Sequence, residues 1–239
     1  MQFPPRTRWP AHTLAAAIAC GICGWSGVAA QTAPTAAEAA RFTALHAAAY
    51  KGDTALLGRL LAAGAPVDLN ARDPRGRTAV HVAAFARQRD AIRVLATAGA
   101  NLELLENDRY DAVTIAAVAG DEETLQVLLS RKASARLTTS VYDGTALIAA
   151  AHLGHAAVVR QLITAGAPLD HVNNLHWTAL IESIVLGDGG PRHQDTLRAL
   201  LAAGASTQLT DRQGTTPLQM ARSRGYREMV QMLEQAGAK

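Results

Sequence analysis

The fold class predicted by this 239-residue chain is an all-α α-solenoid: about six helix–turn–helix units stacked in single file, with hairpin-like connectors. Three observations predict it. A four-residue marker, Thr43-Ala44-Leu45-His46, returns roughly every 33 residues, the period of a stacked array rather than of one globular core. It reappears as Thr78-Ala79-Val80-His81, Asp111-Ala112-Val113-Thr114, Thr145-Ala146-Leu147-Ile148, Thr178-Ala179-Leu180-Ile181 and Thr216-Pro217-Leu218-Gln219. A second marker trails the first in register: Gly64-Ala65, Gly99-Ala100, Lys132-Ala133, Gly166-Ala167, Gly204-Ala205 and Gly237-Ala238, with only the fifth displaced by extra residues. Finally, each unit pairs a helix of small residues with a helix of large aliphatic ones. So short a pair cannot bury its apolar face alone and must lean on neighbours.

The elements follow in chain order. Residues 1–30 carry no acidic residue; Arg6 and Arg8 form a basic head, Leu14 to Val28 an apolar stretch, and Val28-Ala29-Ala30 a small-residue exit. This reads as a secretory signal peptide. The apolar stretch is about 15 residues, short of the ~20 that a spanning helix needs. A retained anchor, or a lipoprotein acylated at Cys20, are the competing readings of this segment. Cys20 and Cys23 have CxxC spacing but fall inside the leader, so the mature chain is expected to be free of cysteine. Residues 31–40 are a linker or N-terminal cap, where Thr35-Ala36-Ala37-Glu38 has the spacing of a capping box.

In the first unit Thr43 is a natural N-cap for a helix of Ala44 to Lys51, and Gly52 stops it. Asp53 can cap a second helix, Thr54 to Ala63, with Leu56, Leu57, Leu60 and Leu61 on one face. Gly64 sits where a helix end needs a left-handed residue. The stretch before the next Thr lacks helical period and carries turn formers such as Asp73-Pro74-Arg75-Gly76. Pairs of alanines (Ala48-Ala49, Ala83-Ala84, Ala116-Ala117, Ala150-Ala151) let successive first helices approach closely. The last unit instead carries Arg222, Arg224, Tyr226, Arg227 and Glu228, the polar face that a terminal unit requires.

These residues resemble the ankyrin repeat, whose pattern is helix, tight turn, helix and a projecting β-hairpin. The resemblance covers 41–239, divided approximately as 41–72, 73–105, 106–139, 140–172, 173–210 and 211–239. The cassettes also resemble a group of exported bacterial ankyrin repeat proteins. It implies a rigid stack that recognises a protein partner through its concave face and hairpin tips, with neither cofactor nor chemistry of its own. His46, His81 and His155 stand in slots where, by the same resemblance, histidine hydrogen-bonds backbone.

Functional information should lie where copies differ without a folding reason. The turn glycine of Gly76 and Gly214 becomes Arg109, Asp143 and His176 in the middle copies. Asp and His tolerate a positive φ better than Arg, so the third hairpin either turns differently or is strained. Around these tips stand Tyr110, Tyr142 and Trp177, with Asp108, Asn173 and Asn174 beside them. Tyr, Trp and Arg often carry binding energy, which makes Asp108, Arg109, Tyr110, Tyr142, Asn174 and Trp177 the candidate partner-binding residues. The competing reading is that the rings only pack on the adjacent hairpin. A second departure is an excess at Gly187-Asp188-Gly189-Gly190-Pro191, expected as a loop between two helices, with Arg192 and His193 filling the slots of Gly154 and His155. Glu182 replaces a small or apolar residue and is expected to be solvated or interhelical; together with Asp188 it is the one conceivable acid/base couple.

The other function classes have little to stand on. Without Arg6 and Arg8 the net charge falls from +3 to about +1, and no basic stripe interleaved with aromatics appears, which argues against a nucleic-acid partner. Metal ligation by the scattered histidines is disfavoured, because packed helices lie ~8–10 Å apart whereas zinc holds each nitrogen at ~2.0–2.1 Å. No GxSxG or HExxH signature is present. The glycine-rich 187–191 segment lacks the GxxxxGK[ST] order of a phosphate loop. The expectation is a monomeric, non-catalytic protein-binding scaffold in the periplasm or secreted, not held in the membrane once its leader is removed. Two alternatives are a regulator or protective inhibitor of one enzyme or toxin, and an enzyme or ligand carrier built around Glu182 and 187–193.

Overall fold

In the computed structural model, residues 31–62 and 67–239 are described. The predicted leader, with Cys20 and Cys23, lies outside them, as do the expected end of the second helix at Ala63 and its cap Gly64. Helix α1, Ala36–Ala39, opens the array with the expected capping box: Thr35 N–H donates to Glu38 Oε2 at 2.8 Å and Glu38 N–H to Thr35 Oγ1 at 3.2 Å.

The array from residue 33 onward is two parallel rows of helices. The first row is α2 (Ala44–Lys51), α4 (Ala79–Phe85), α6 (Ala112–Val118), α8 (Ala146–His152), α10 (Ala179–Val185) and α12 (Pro217–Arg224). The second row is α3 (Thr54–Ala62), α5 (Arg89–Thr97), α7 (Glu122–Ser130), α9 (Ala156–Thr164), α11 (Pro191–Ala202) and α13 (Arg227–Gln235). Each helix touches the next in its own row, and each pair touches within its repeat. The four alanine pairs lie at the first-row contacts, with no member more than 3% exposed, so the closeness of that row comes directly from side-chain size. Leu95, Leu125, Leu128, Val159, Leu162, Leu197 and Leu200 fill the space between rows. Close packing of this kind gives a continuous core with no repeat self-sufficient. In α3 only Leu57 of the four expected leucines is fully buried. The others are half-covered because α3 has one neighbour in its row, not two.

Caps follow the Thr marker. Thr43, Asp111, Thr145, Thr178 and Thr216 each accept the amide three residues on. Thr78 makes the tie in the other direction, its N–H donating to His81 Nδ1 at 3.1 Å. Asp53 caps α3 through Leu56 N–H at 2.8 Å, and Asp121 caps α7 through Thr124 N–H at 3.1 Å. The imidazoles bond backbone in the next repeat: His46 Nε2–H donates to Arg77 O (3.0 Å), His81 Nε2–H to Tyr110 O (3.1 Å). In reverse, His155 reaches back to Val118 O at 3.2 Å, over Gly120, where a Cβ would stand 2.9 Å from the ring. Among the described residues only the fourth connector has a strand ladder, β1 (Thr138–Thr139) against β2 (Gly144–Thr145). Four other described connectors have no ladder and are closed by local turn bonds, among them those from the amides of Asp73, Glu106, Asn173 and Asp211 to the carbonyls of Arg77, Tyr110, Trp177 and Thr215.

Candidate protein-docking surface

Each hairpin turn is shaped by its own first side chain. Asp73 Oδ1 accepts the amides of Arg75 (2.9 Å) and Arg77 (2.8 Å). Asn173 Oδ1 takes Leu175 and Trp177 in the same manner, and Asp211 Oδ1 takes Gln213 and Thr215. Ser140 Oγ does so for Tyr142 and Gly144, and Glu106 accepts Tyr110 N–H at 3.1 Å. Such side-chain-to-backbone turns fix the loop locally. The sequence conceals this because four residue types, sharing only an acceptor oxygen, do one job.

The turns are then strung together. Asn107 N–H donates to Arg75 O (3.0 Å), Ser140 N–H to Arg109 O (2.8 Å) and Asn174 N–H to Tyr142 O (2.9 Å). Arg212 extends the string by donating to Asn174 O. This settles the question of the third hairpin: Arg109 keeps the turn that glycine makes at position 76 and takes φ of 66°, a left-handed conformation costly for its side chain. Its guanidinium meets Asp143 Oδ1 at 3.0 Å, linking the first two of the three non-glycine turns. Asp143 (φ 52°) and His176 (φ 64°) occupy the same conformation in the next two hairpins.

The candidate residues divide into two groups. Arg109, Tyr142 and Asn174 belong to the string, and Asn174 Nδ2–H also donates to Val141 O at 3.0 Å. Tyr110 and Trp177 stand one residue beyond the turn and lean on the core, half-buried. Burial, aided by the charges of Asp108 and Glu106, pushes the Tyr110 phenol up to about 12. Burial likewise raises the Glu106 carboxyl. Asp108 is partly exposed beside that pair. Missed in the sequence are three large apolar side chains on the fourth and fifth connectors: Val141 (45% exposed), Val172 (40%) and Leu175 (39%). For Val141 and Leu175 the available signal was an apolar residue at turn positions held elsewhere by Pro74, Asp108 or Gln213.

The opposite edge differs from expectation. The extra residues of the fifth repeat are spent partly as loop and partly as helix, since Pro191 is the first residue of α11, where its missing N–H is no loss. His193 does fill the slot of His155, its Nε2–H donating to His152 O at 3.0 Å, but Arg192 is helical where Gly154 has a φ of 69°. Glu182 is interhelical and not solvated: 6% exposed, it accepts from Asn173 Nδ2 at 2.9 Å and meets His152 Nδ1 at 3.2 Å. Burial is tolerable there because both oxygens have partners. Asp188 is engaged separately by Gly190 N–H and His193 Nδ1, both at 2.9 Å, so the two carboxylates share no partner. Among the described residues no helix is long and apolar enough to cross a membrane, and no three metal-ligating side chains converge.

Comparison with known proteins places this geometry. Two family profiles match, one described as ankyrin repeats (3 copies) over 29–106 and 113–211, the other as ankyrin repeats (many copies) over 191–234. The ankyrin repeat protein YahD of Escherichia coli (strain K12) is 35% identical over 192 residues, covering 80% of this chain and 94% of its own. An ankyrin repeat domain from Acinetobacter baumannii AYE superposes with a TM-score of 0.75 at 42% identity, over 82% of this chain and 98% of that one. The ankyrin repeat domain of Bcl-3, a member of the IkappaB family, superposes at 0.72 and 26% identity, over 83% and 88%. With its caps, two helix rows and strung hairpins all accounted for, the chain belongs to the ankyrin repeat family, a protein–protein interaction module.

Proposed function

We propose that this chain is an exported, non-catalytic docking protein whose third to fifth hairpin turns bind a protein partner. One observation carries the reading. Three of the four exposed large hydrophobic side chains among the described residues, Val141, Val172 and Leu175, stand on two adjacent connectors, beside Tyr142 and the strained Arg109. Apolar groups held outward on rigid turns lose little freedom on association, and local strain is characteristic of contact sites. Tyr142, Asn174 and Arg109 supply the rim; Tyr110 and Trp177 support the turns from beneath. Export is favoured by the basic, apolar, small-residue order of 1–30, and the first capping box starts at Thr35, just after the expected exit at Ala30.

Photo-cross-linkers placed at Val141 and Leu175 in cells should capture one common protein, while one at the exposed Gln126 of α7 should not. Equal capture at all three positions, or none at the two tips, overturns the reading. Cell fractionation with N-terminal sequencing tests export separately; recovery in the cytoplasm with residues 1–30 intact contradicts it.

A further inference from the structure

The loop 186–190 is held far more firmly than an idle insertion requires. Tyr226 Oη–H, from the sixth repeat, donates to Gly187 O at 3.0 Å, and its ring packs so closely that a Cβ on Gly189 would stand 2.4 Å from it. Gln194 Nε2–H donates to Gly189 O at 2.8 Å. On the other side His193 ties the loop to the fourth repeat through His152 O, under Gly187, where a Cβ would meet the His193 ring at 2.7 Å. One loop thus joins three repeats.

His193 is the centre of this arrangement, and both its nitrogens face acceptors. Nδ1 lies 2.9 Å from Asp188 Oδ1 and Nε2 lies 3.0 Å from the His152 carbonyl. A carbonyl offers no proton, and an ionised carboxylate offers none either; a neutral imidazole has only one N–H to give. Gly190 N–H and the His193 ring hold the Asp188 carboxyl below its usual range, which keeps it an acceptor. The ring that satisfies both contacts is therefore the imidazolium. His46 differs, since its Nδ1 faces a hydroxyl that can donate, and so does His81, whose Nδ1 faces the Thr78 N–H. The charged groups around His193 are Asp188 and Arg192 on its own segment, His152 with Glu182 from the first row, and His155 from the turn before α9.

We propose that residues 186–193 form a pH-gated clasp, closed across the fourth to sixth repeats when His193 is the imidazolium and released at its Asp188 end when the ring is neutral. The buried contact decides which proton stays. His193 itself is only 9% exposed and its Nε2–H faces the His152 carbonyl, whereas Asp188 is 79% exposed and can turn to solvent. Deprotonation therefore frees the Asp188 end of the loop while the joint between repeats four and five holds. The clasp is closed while the ring carries both protons and Asp188 remains ionised.

Ring ¹⁵N resonances and amide exchange on the full chain, corrected for intrinsic exchange rates, test this. As pH rises from about 5 to about 8, Nδ1 should lose its proton and the Gly190 amide about tenfold of its protection. The His155 amide, bonded to Ala150 O, should stay protected. Asp188→Asn, at an exposed position, should make Gly190 protection independent of pH, and His193→Gln should do the same if it folds. The proposal is overturned if protection at Gly190 is constant in the wild type, if the pH dependence survives in Asp188→Asn, or if Nε2 gives up the proton.

Discussion

The first three repeats and the last three are joined by different chemistry. Between repeats one, two and three, an imidazole on the first-row helix reaches forward to a carbonyl just beyond the next turn: His46 to Arg77 and His81 to Tyr110. From repeat four onward those slots hold Ile148, Ile181 and Gln219, and the joints are made instead by Glu182, Asn173, His152 and the 186–193 segment. Burial lowers His81 to about 4, so that tie is uncharged at neutral pH; repeats two and three are also joined by the Arg89–Asp121 ion pair at 2.9 Å, whereas the later joints set carboxylates against imidazoles. A repeat fold therefore constrains where a joint must be made more tightly than what it is made of.

The largest test of that contrast is a cavity at the boundary. Leu128→Ala in α7 removes a side chain with no exposed surface between the two halves and should cost ~2–5 kcal/mol in urea unfolding. If the halves act as one cooperative unit, the single transition shifts; if they separate, two transitions appear and the contrast extends to folding.

Next comes the forward tie. His81→Ala leaves the Thr78 amide without its partner and the Tyr110 carbonyl with only the Glu106 N–H, and should cost ~1–3 kcal/mol. The sign of its pH dependence follows from the depressed value. The unfolded ring binds a proton near 6.5, the folded ring only near 4, so this contribution is full above 6.5 and lost as pH falls through 4. His81→Gln should flatten that acid limb while keeping the cap, because Gln219 already makes the same capping box in the sixth repeat. An unchanged acid limb would show that another group controls it.

A smaller effect, of opposite sign, belongs to the turns. Arg109→Gly relieves a left-handed arginine and should raise stability by about 1 kcal/mol, less the small loss of the exposed Arg109–Asp143 pair. Cross-linking from Val141 should weaken in the same variant, separating stability from docking. Smallest is Glu38→Gln at the N-terminal cap, where the ion pairs to Arg75 (3.1 Å) and Arg77 (3.6 Å) are partly solvated, so below ~1 kcal/mol. The Thr35 amide is the main cause that lowers Glu38 to about 2, against 4.5 unfolded; this stability is present above 4.5 and lost as pH falls through 2.

The regular parts of this architecture were legible in residue order. A cap such as Thr43, a stop such as Gly52 and small pairs such as Ala116-Ala117 each act within a few residues, so sequence distance stands in for space. What stayed hidden acts between repeats. Nothing in the order of residues says that Glu182 is claimed by Asn173 and His152, or that Tyr226 reaches Gly187. The aromatic residues at the candidate site were visible but their depth was not: Tyr110 and Trp177 sit one residue past the turn and face the core, whereas Val141 and Leu175 sit on the turn itself. The αL turn at Arg109 shows the array imposing its geometry on a residue that local preference would refuse.

Nearest-neighbour ties have a mechanical corollary. A tug on the N-terminal end would peel one module at a time, since no string bond from Asn107, Ser140 or Asn174 reaches beyond the adjacent turn. Peeling would halt where a single loop grips modules on both sides of its own, so the C-terminal half would yield as a block under load.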